Sequence, residues 1–240
     1  MTIVELNDIS KVYTRQTALS SVNLTIDEGS IFGLLGPNGA GKTSIISILL
    51  GLTRQSSGNF SLFGEKISDE NLPSFLTQVG AVFERPVFYP QFSASFNLRL
   101  LGGVAATAGR ILEVSELVGL RSRIDDKVGV YSMGMRQRLA FALAVINKPK
   151  LLVLDEPTNG LDPLGIADLR RMVRSIQASG TTVLLASHLL TEVEKICTDI
   201  AILDKGQVVT KGSMLELLPE KGSSLEDLFL SLLGNKEERC

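Results

Sequence analysis

A glycine-rich octapeptide at residues 36–43 constrains the fold of this chain more than any other stretch. It reads G-P-N-G-A-G-K-T, which fits the phosphate-binding pattern G-x-x-x-x-G-K-[ST]. The apolar run 30–35 precedes it, as a buried strand would, and the apolar run 44–50 follows it as a buried helix that ends near Gly51. A strand–loop–helix context is what supports this motif, so we favour a phosphate loop over a glycine-rich turn that binds nothing.

Each residue type in the octapeptide has a use in holding phosphate. The glycines let the backbone curl, so that successive N–H groups point at phosphate oxygens, and the helix N-terminus adds partial positive charge. Lys42 supplies a full positive charge to the β- and γ-phosphates, and the Thr43 hydroxyl suits the accompanying magnesium ion. The residues expected to bind the nucleotide here are Gly36, Pro37, Asn38, Gly39, Ala40, Gly41, Lys42, Thr43 and Ser44.

Two acids follow a second apolar run. Residues 151–154 are four unbroken apolar residues, which is typical of a strand buried on both faces of a parallel sheet, and Asp155 and Glu156 come directly after them. Open α/β sheets bind their ligands at the carboxyl ends of parallel strands. We therefore interpret the two acids as part of the phosphate site rather than as an ordinary turn.

The single histidine, His188, also follows a predicted parallel strand, at 181–186. A lone histidine is usually structural. A functional role is favoured here because the strand end should lie beside the phosphate loop.

The rest of the chain gives weaker patterns. Ser132 and Asp162 each stand where a helix begins and are predicted as N-caps. The remaining predicted elements are antiparallel strands over 3–35, strands at 59–64 and 79–83, an irregular proline-containing segment at 84–90, helical structure over 95–119 with Leu112, Leu117 and Val118 in the core, a closing hairpin at 199–211, and a C-terminal helical stripe of Leu225, Leu228, Phe229 and Leu232.

Composition excludes several functional classes. The net charge is −2 and no long basic block occurs, so nucleic acid is not an expected partner. The apolar runs are far shorter than a membrane span, and the N-terminus lacks the pattern of a signal peptide. Cys197 and Cys240 form no disulfide or metal pattern, so free thiols in a reducing cytosol are expected.

Taken in order, these motifs resemble the nucleotide-binding subunit of an ATP-binding-cassette transporter, and the resemblance covers essentially the whole chain. Residues 36–43 match Walker A, 151–156 match Walker B and 159–162 match the D-loop. Tyr13 matches the aromatic residue that stacks on adenine, and His188 matches the switch histidine.

Two places depart from the usual family pattern. The segment 131–135 reads Y-S-M-G-M where the family usually has L-S-G-G-Q, although Ser132 and Gly134 are kept. Glu84 stands where the family's Q-loop has glutamine. Both departures are similar to the branch that exports, or protects against, bacteriocins, lantibiotics and bacitracin, in which the membrane protein is a separate chain.

The resemblance implies an α/β fold, with a P-loop NTPase core of mainly parallel sheet, an antiparallel β subdomain and an inserted α-helical subdomain. The whole chain would be one cassette. Its core would comprise 1–84 and 150–212, its helical subdomain about 85–149, and its C-terminal helical tail 213–240.

The resemblance also implies residue roles. The cofactors would be ATP and Mg²⁺, with Lys42, Glu156 as general base and His188 in catalysis. Nucleotide contacts beyond the phosphate loop would come from Tyr13, Glu84, Ser132, Gly134 and Asp162, and metal contacts from Thr43, Asp155 and Glu84. Two copies would close head-to-tail on two ATP molecules and drive a membrane permease that exports a peptide antibiotic, a drug or a lipid-like substrate.

The expected location is cytoplasmic, at the inner face of the membrane through the permease. An apolar loop could dock that partner or pack between subdomains; its aromatic residues are Phe88, Tyr89, Phe92 and Phe96. Two alternatives are a soluble ATPase of the same fold that acts on ribosomes or in DNA repair, and a simple P-loop kinase. The chain has neither the basic patch nor the long coiled-coil insertion common in the former, and the latter would not need the 132–138 segment or His188.

Overall fold

The computed structural model describes residues 1–219 and 224–234. In chain order the strands and helices are β1 (Thr2–Tyr13), β2 (Gln16–Asp27), β3 (Ile31–Leu35), α1 (Lys42–Leu49), β4 (Ser57–Leu62), β5 (Glu65–Lys66), α2 (Leu72–Leu76), β6 (Val79–Val82), α3 (Ala94–Leu101), α4 (Ala108–Leu117), α5 (Met133–Val145), β7 (Leu151–Asp155), α6 (Pro163–Ala178), β8 (Thr182–Ser187), α7 (Leu190–Ile196), β9 (Asp199–Asp204), β10 (Gln207–Ser213), α8 (Met214–Leu217) and α9 (Leu225–Leu233).

The chain divides into two compact units. Unit 1 comprises Met1–Phe75 and Thr182–Cys240, and unit 2 is Leu76–Thr181. The bounds of these units differ from the predicted limits of the core and the helical subdomain. Those limits remain a prediction. Part of the predicted tail at 213–240, including Cys240, lies outside the described residues.

Unit 1 contains an antiparallel sheet of order β2-β1-β4-β5. Apolar and polar residues alternate in β1 and β2, so every second side chain faces the core. Leu24 and Ile26 are fully buried there. The pairing of β1 with β2 confirms the antiparallel strands predicted at the start of the chain.

Unit 1 also contains strands in the order β10-β9-β3-β8. β3 pairs in parallel with both β8 and β9, and β9 forms the predicted hairpin with β10. All five residues of β3 and all six of β8 are buried, as unbroken apolar runs predict. A Cβ at Gly33 would lie 2.8 Å from Val193 Cγ1, so the glycine allows α7 to approach β3 closely.

Unit 2 is built around the parallel pair β6–β7, in which Val82 lies opposite Leu154. Helix α5 packs closely on this pair, because a Cβ at Gly80 would collide with the backbone carbonyl of Ala144. The fully buried Phe141 on α5 belongs to the core of this unit.

The predicted core face of the 95–119 segment is wrong in part. Leu112 and Leu117 are 39% and 38% exposed, and the buried face of α4 carries Ile111 and Val114 instead; only Val118 is buried as expected. The helical segment divides into two α-helices, because α3 ends at Leu101 and the Thr107 hydroxyl caps α4. Within α4 the helical spacing i, i+3, i+7 joins Ile111, Val114 and Val118, whereas Leu112 and Leu117 each lie one residue off this face.

Within residues 1–219 and 224–234, no helix combines the length and the apolar character that crossing a bilayer requires.

Candidate functional site

The phosphate loop in unit 1 joins the end of β3 to the start of α1. Its glycines occupy positions where a side chain would collide with neighbouring atoms. Gly41 has φ +112°, and a Cβ there would lie 2.6 Å from Leu19 Cδ2, while a Cβ at Gly36 would overlap the carbonyl oxygen of Leu203. Gly41 is also the N-cap of α1 and offers no side-chain cap, so a bound anion can take that place.

The Lys42 side chain is folded over this loop. It is 6% exposed, and its Nζ donates hydrogen bonds to the carbonyl oxygens of Gly36 at 2.6 Å and Pro37 at 3.3 Å. Two backbone carbonyls therefore hold the ammonium group beside the amides of the loop. The next side chain, Thr43, is exposed at the start of α1, and Ser44 is half-buried.

The register of the parallel strands brings His188 to the same sheet edge as the phosphate loop. Leu35, the last residue of β3, lies opposite Ser187, the last residue of β8. Gly36 and His188 are the residues that directly follow this pair, and the His188 side chain is exposed. The predicted proximity of the histidine to the loop is thus present within unit 1.

Tyr13 ends β1 in the antiparallel sheet of unit 1 and is 42% exposed. The Nζ of Lys11 lies 4.7 Å from the centroid of its ring, a cation–π contact. One face of the ring therefore already carries a cation.

The acidic residues lie at the end of the parallel pair in unit 2. Asp155 is the last residue of β7 and is buried, and Glu156 is half-buried with φ +50°. Because Val82 pairs with Leu154, Glu84 and Glu156 each stand two residues beyond one paired position. Register therefore places the exposed Glu84 at the same end of this pair as Glu156.

Two helices of unit 2 begin at a shared cavity. The Ser132 Oγ accepts a hydrogen bond from the Met135 N–H at 3.2 Å, and Asp162 Oδ1 accepts one from the Gly165 N–H at 2.7 Å, so both N-cap predictions are confirmed. Gly134 lies in the first turn of α5. The cavity has a volume of about 650 Å³, and the N-cap residues and Gly134 line it together with Met133, Gly160 and Leu161.

Tyr131, directly before this helix, is buried, and its hydroxyl donates to the Arg123 carbonyl at 2.7 Å. Burial, and next the negative charge of Asp126, raise the pKa of Tyr131 to about 12. The phenol is therefore neutral over the physiological pH range.

The free Cys197 thiol lies in unit 1. Its burial, and next the negative charge of Asp199, raise the pKa of this thiol well above its ordinary value.

Sequence patterns did not reveal two buried amides of unit 2. Gln137, on α5, donates from Nε2 to the Pro157 carbonyl at 3.3 Å. Asn97, on α3, accepts from the Tyr89 N–H at 2.8 Å and donates to the carbonyl oxygens of Tyr89 and Ser93 at 3.0 and 2.9 Å. Asn97 stands between the apolar residues Phe96 and Leu98, whereas Gln137 stands between Arg136 and Arg138, where no sequence pattern marks it as buried.

Asn97 anchors an exposed aromatic cluster, defined here as Tyr89, Phe92 and Phe96. These side chains are 45%, 39% and 43% exposed. The ring centroids of Tyr89 and Phe92 lie 6.3 Å apart, and those of Phe92 and Phe96 4.5 Å apart. The cluster presents apolar surface to solvent, while the predicted fourth member, Phe88, is half-buried.

The sequence is similar to that of known proteins. The family described as ABC transporter matches residues 19–159. The bacitracin transport ATP-binding protein BcrA of Bacillus licheniformis is 38% identical over 211 residues, which cover 87% of this chain and 69% of that protein. The lantibiotic transport ATP-binding protein SrtF of Streptococcus pyogenes is 36% identical over 228 residues, which cover 95% of this chain and 96% of that protein.

A solved structure has the same fold. The dimeric structure of MJ0796, a bacterial ABC transporter cassette, superposes with a TM-score of 0.80 at 25% identity, covering 88% of this chain and 99% of that one. The fold predicted from the motifs, a P-loop core with mainly parallel sheet, an antiparallel sheet and helices, is confirmed.

Proposed function

The chain belongs to the ABC transporter family, as an ATP-binding subunit of the bacitracin and lantibiotic transport branch, and on that basis we propose that it hydrolyses ATP to drive a separate membrane permease. The observation that carries this proposal is the phosphate loop with Lys42 folded over it and His188 in register beside it. The same relatives support transport over a role on ribosomes or in DNA repair, since both are named for transport.

In this proposal unit 1 holds the triphosphate. Lys42 releases its hydrogen bonds to the Gly36 and Pro37 carbonyls and turns to the β- and γ-phosphates, joined by the loop amides and the α1 N-terminus. The adenine stacks on the exposed ring of Tyr13, and Ser44 hydrogen-bonds a phosphate. His188 hydrogen-bonds the γ-phosphate or the attacking water.

In this proposal the Thr43 hydroxyl and the Asp155 carboxylate would hold a magnesium ion, because their oxygen atoms are the donors that Mg²⁺ prefers and the ion usually binds few protein ligands beside phosphate. When bound, Mg²⁺ neutralises charge on the β- and γ-phosphates. We assign Asp155 to the water shell of the ion and Glu84 to a sensing role near it. We propose from family membership that residues of unit 1 and of unit 2 act on one nucleotide, and the geometry within each unit supports the role given to its own residues.

Glu156 is the general base in this proposal. Its carboxylate accepts a proton from the water that attacks the γ-phosphorus, while the bond from that phosphorus to the β–γ bridging oxygen breaks. His188 and Lys42 stabilise the charge that develops on the γ-oxygens.

A second copy completes each site. Ser132 and Gly134 lie at the N-terminus of α5, where an anion is favoured, and in the proposal they bind the γ-phosphate held by the other copy, beside Asp162. The dimeric cassette named above supports this arrangement. Two copies then sandwich two ATP molecules head-to-tail.

The partner of this dimer would be a separate integral membrane permease, which holds the chain at the inner face of the cell membrane. The names of BcrA and SrtF support a peptide antibiotic as the exported substrate. We assign the exposed aromatic cluster to docking on cytoplasmic segments of the permease.

Glu156→Gln tests the proposal. An amide cannot accept the proton of the water, so phosphate release should fall by about two orders of magnitude or more, while ATP binding remains and the variant accumulates as an ATP-bound dimer in light scattering. Glu65→Gln, the same change at an exposed residue of β5, is the matched control. Phosphate release at the wild-type rate by Glu156→Gln, or absence of ATP hydrolysis by the unmodified chain, would refute the assignment.

A further inference from the structure

We propose that Gln137 is a positioning residue for Glu156, and that through it the first turn of α5 controls this carboxylate in the same chain. The inference rests on the proposed function, in which Glu156 is the general base and the α5 N-terminus meets the nucleotide of the other copy. All the contacts that support it lie within unit 2.

The first contact is a buried hydrogen bond. Gln137 is 6% exposed, and its Nε2 donates to the Pro157 carbonyl at 3.3 Å. That carbonyl belongs to the residue directly after Glu156. A buried amide is costly unless it is hydrogen-bonded, so this bond fixes the distance between α5 and the backbone beside Glu156.

The backbone at Glu156 needs such support. Its φ of +50° is one that residues other than glycine rarely adopt, and the following proline restricts it further. A residue in this conformation persists only when its surroundings hold it there. Gln137 holds the neighbouring peptide, and so restrains the backbone from which the Glu156 side chain projects.

A second contact joins α5 to the same loop. Gly160 has φ +74°, and a Cβ there would overlap the sulfur of Met133, so the first residue of α5 packs directly against this glycine. A Cβ at Gly134 would lie 3.8 Å from Leu161 Cδ2. The first turns of α5 thus contact the loop at both ends, 157 and 160–161.

A displacement of α5 must therefore move the backbone that carries Glu156. Ser132 and Gly134 respond to the γ-phosphate of one site, whereas Glu156 acts at the other site of the proposed dimer. The structure assigns to Gln137 the link between the two sites. The Glu156 carboxylate at one site is aligned only when a nucleotide is bound at the other site.

Gln137→Leu tests the link, because leucine keeps most of the buried volume and removes the donor. We expect kcat for ATP to fall about tenfold, the size of effect that follows from one lost hydrogen bond, with unchanged nucleotide affinity in calorimetry. The Hill coefficient for ATP should fall towards one. Ser115→Ala is the matched control, because it removes a buried hydrogen bond to the Leu112 carbonyl in the same unit, 2.7 Å long, without touching the loop.

A double variant separates positioning from general damage. If Gln137 acts through Glu156, adding Gln137→Leu to Glu156→Gln causes no further loss of turnover; a further tenfold loss overturns the inference. Wild-type kcat in Gln137→Leu also overturns it, and leaves the proposed function intact as long as the unmodified chain hydrolyses ATP. If Gln137→Leu does not fold, Gln137→Met, which has an unbranched side chain of similar length and no donor, supplies the same comparison.

Discussion

Replacing Asn97 by alanine tests how the exposed aromatic cluster is held in place. Asn97 is fully buried on α3 and makes three short hydrogen bonds to the backbone of residues 89 and 93, with a longer one of 3.5 Å to the Phe92 carbonyl. Alanine removes all of them. The segment that carries Tyr89 and Phe92 then loses its side-chain hydrogen bonds to the helix, while the Phe92–Phe96 ring contact remains.

The size of the effect follows from these bonds. Each of the three short bonds contributes about 1 kcal/mol net, so the free energy of unfolding should fall by about 3 kcal/mol. For a chain of this length a change of 1 kcal/mol shifts the unfolding midpoint by about 2–4 °C, so the midpoint should fall by about 6–12 °C. Water reaching the freed Tyr89 N–H and carbonyl would reduce this value.

Thermal unfolding and amide hydrogen exchange check the prediction together. The Tyr89 amide should lose its protection, while ATP affinity stays unchanged because the phosphate loop lies in unit 1. Asn71→Ala is a suitable control, because Asn71 also makes two backbone hydrogen bonds, of 2.8 and 3.0 Å, but at the surface, where water replaces them. A midpoint for Asn97→Ala within about 2 °C of the wild type, by the same scaling, would refute the reasoning.

Three further predictions concern the sites. Lys42→Ala should abolish ATP binding in calorimetry, because the phosphates lose the ammonium group now held at the loop; unchanged affinity would rule out that role. Glu84→Gln should flatten the magnesium dependence of ATPase activity, because a carboxylate is attracted to the ion more strongly than an amide is, while ATP binding survives; superimposable titrations would remove Glu84 from the metal site. Burial raises the pKa of Tyr131 from 10.0 to about 12, so its contribution to stability is complete below about pH 10 and is lost as the pH rises through about 12. Tyr131→Phe should make the alkaline fall in unfolding midpoint shallower, and an equally steep fall would contradict this.

The parts of the fold that could be predicted from the sequence are those with local causes. The helix start at Ser132 was predictable because a hydroxyl accepts a hydrogen bond from an amide three residues later. The same holds for Asp162, and the unbroken apolar runs of β3 and β7 identify strands buried on both faces. Each of these signals lies within a few residues of its effect.

Two parts of the structure were not predicted, for different reasons. The inner face of α4 was misassigned because the strongly apolar Leu112 and Leu117 each lie one residue off the face that Ile111, Val114 and Val118 form at helical spacing. The bond from Gln137 joins residues 20 apart in sequence. Its partner is a backbone carbonyl, which every residue possesses, so no residue type marks the acceptor.

Register explains why the candidate functional residues gather at strand ends although their sequences are far apart. In unit 1, the pairing of Leu35 with Ser187 sets His188 beside Gly36; in unit 2, the pairing of Val82 with Leu154 sets Glu84 and Glu156 at matching positions. Side chains alternate along a strand, so a slip of one residue would turn each of them to the opposite face. The apolar residues that fix the register, buried on both faces of the strands, therefore determine the positions of the charged residues that follow them.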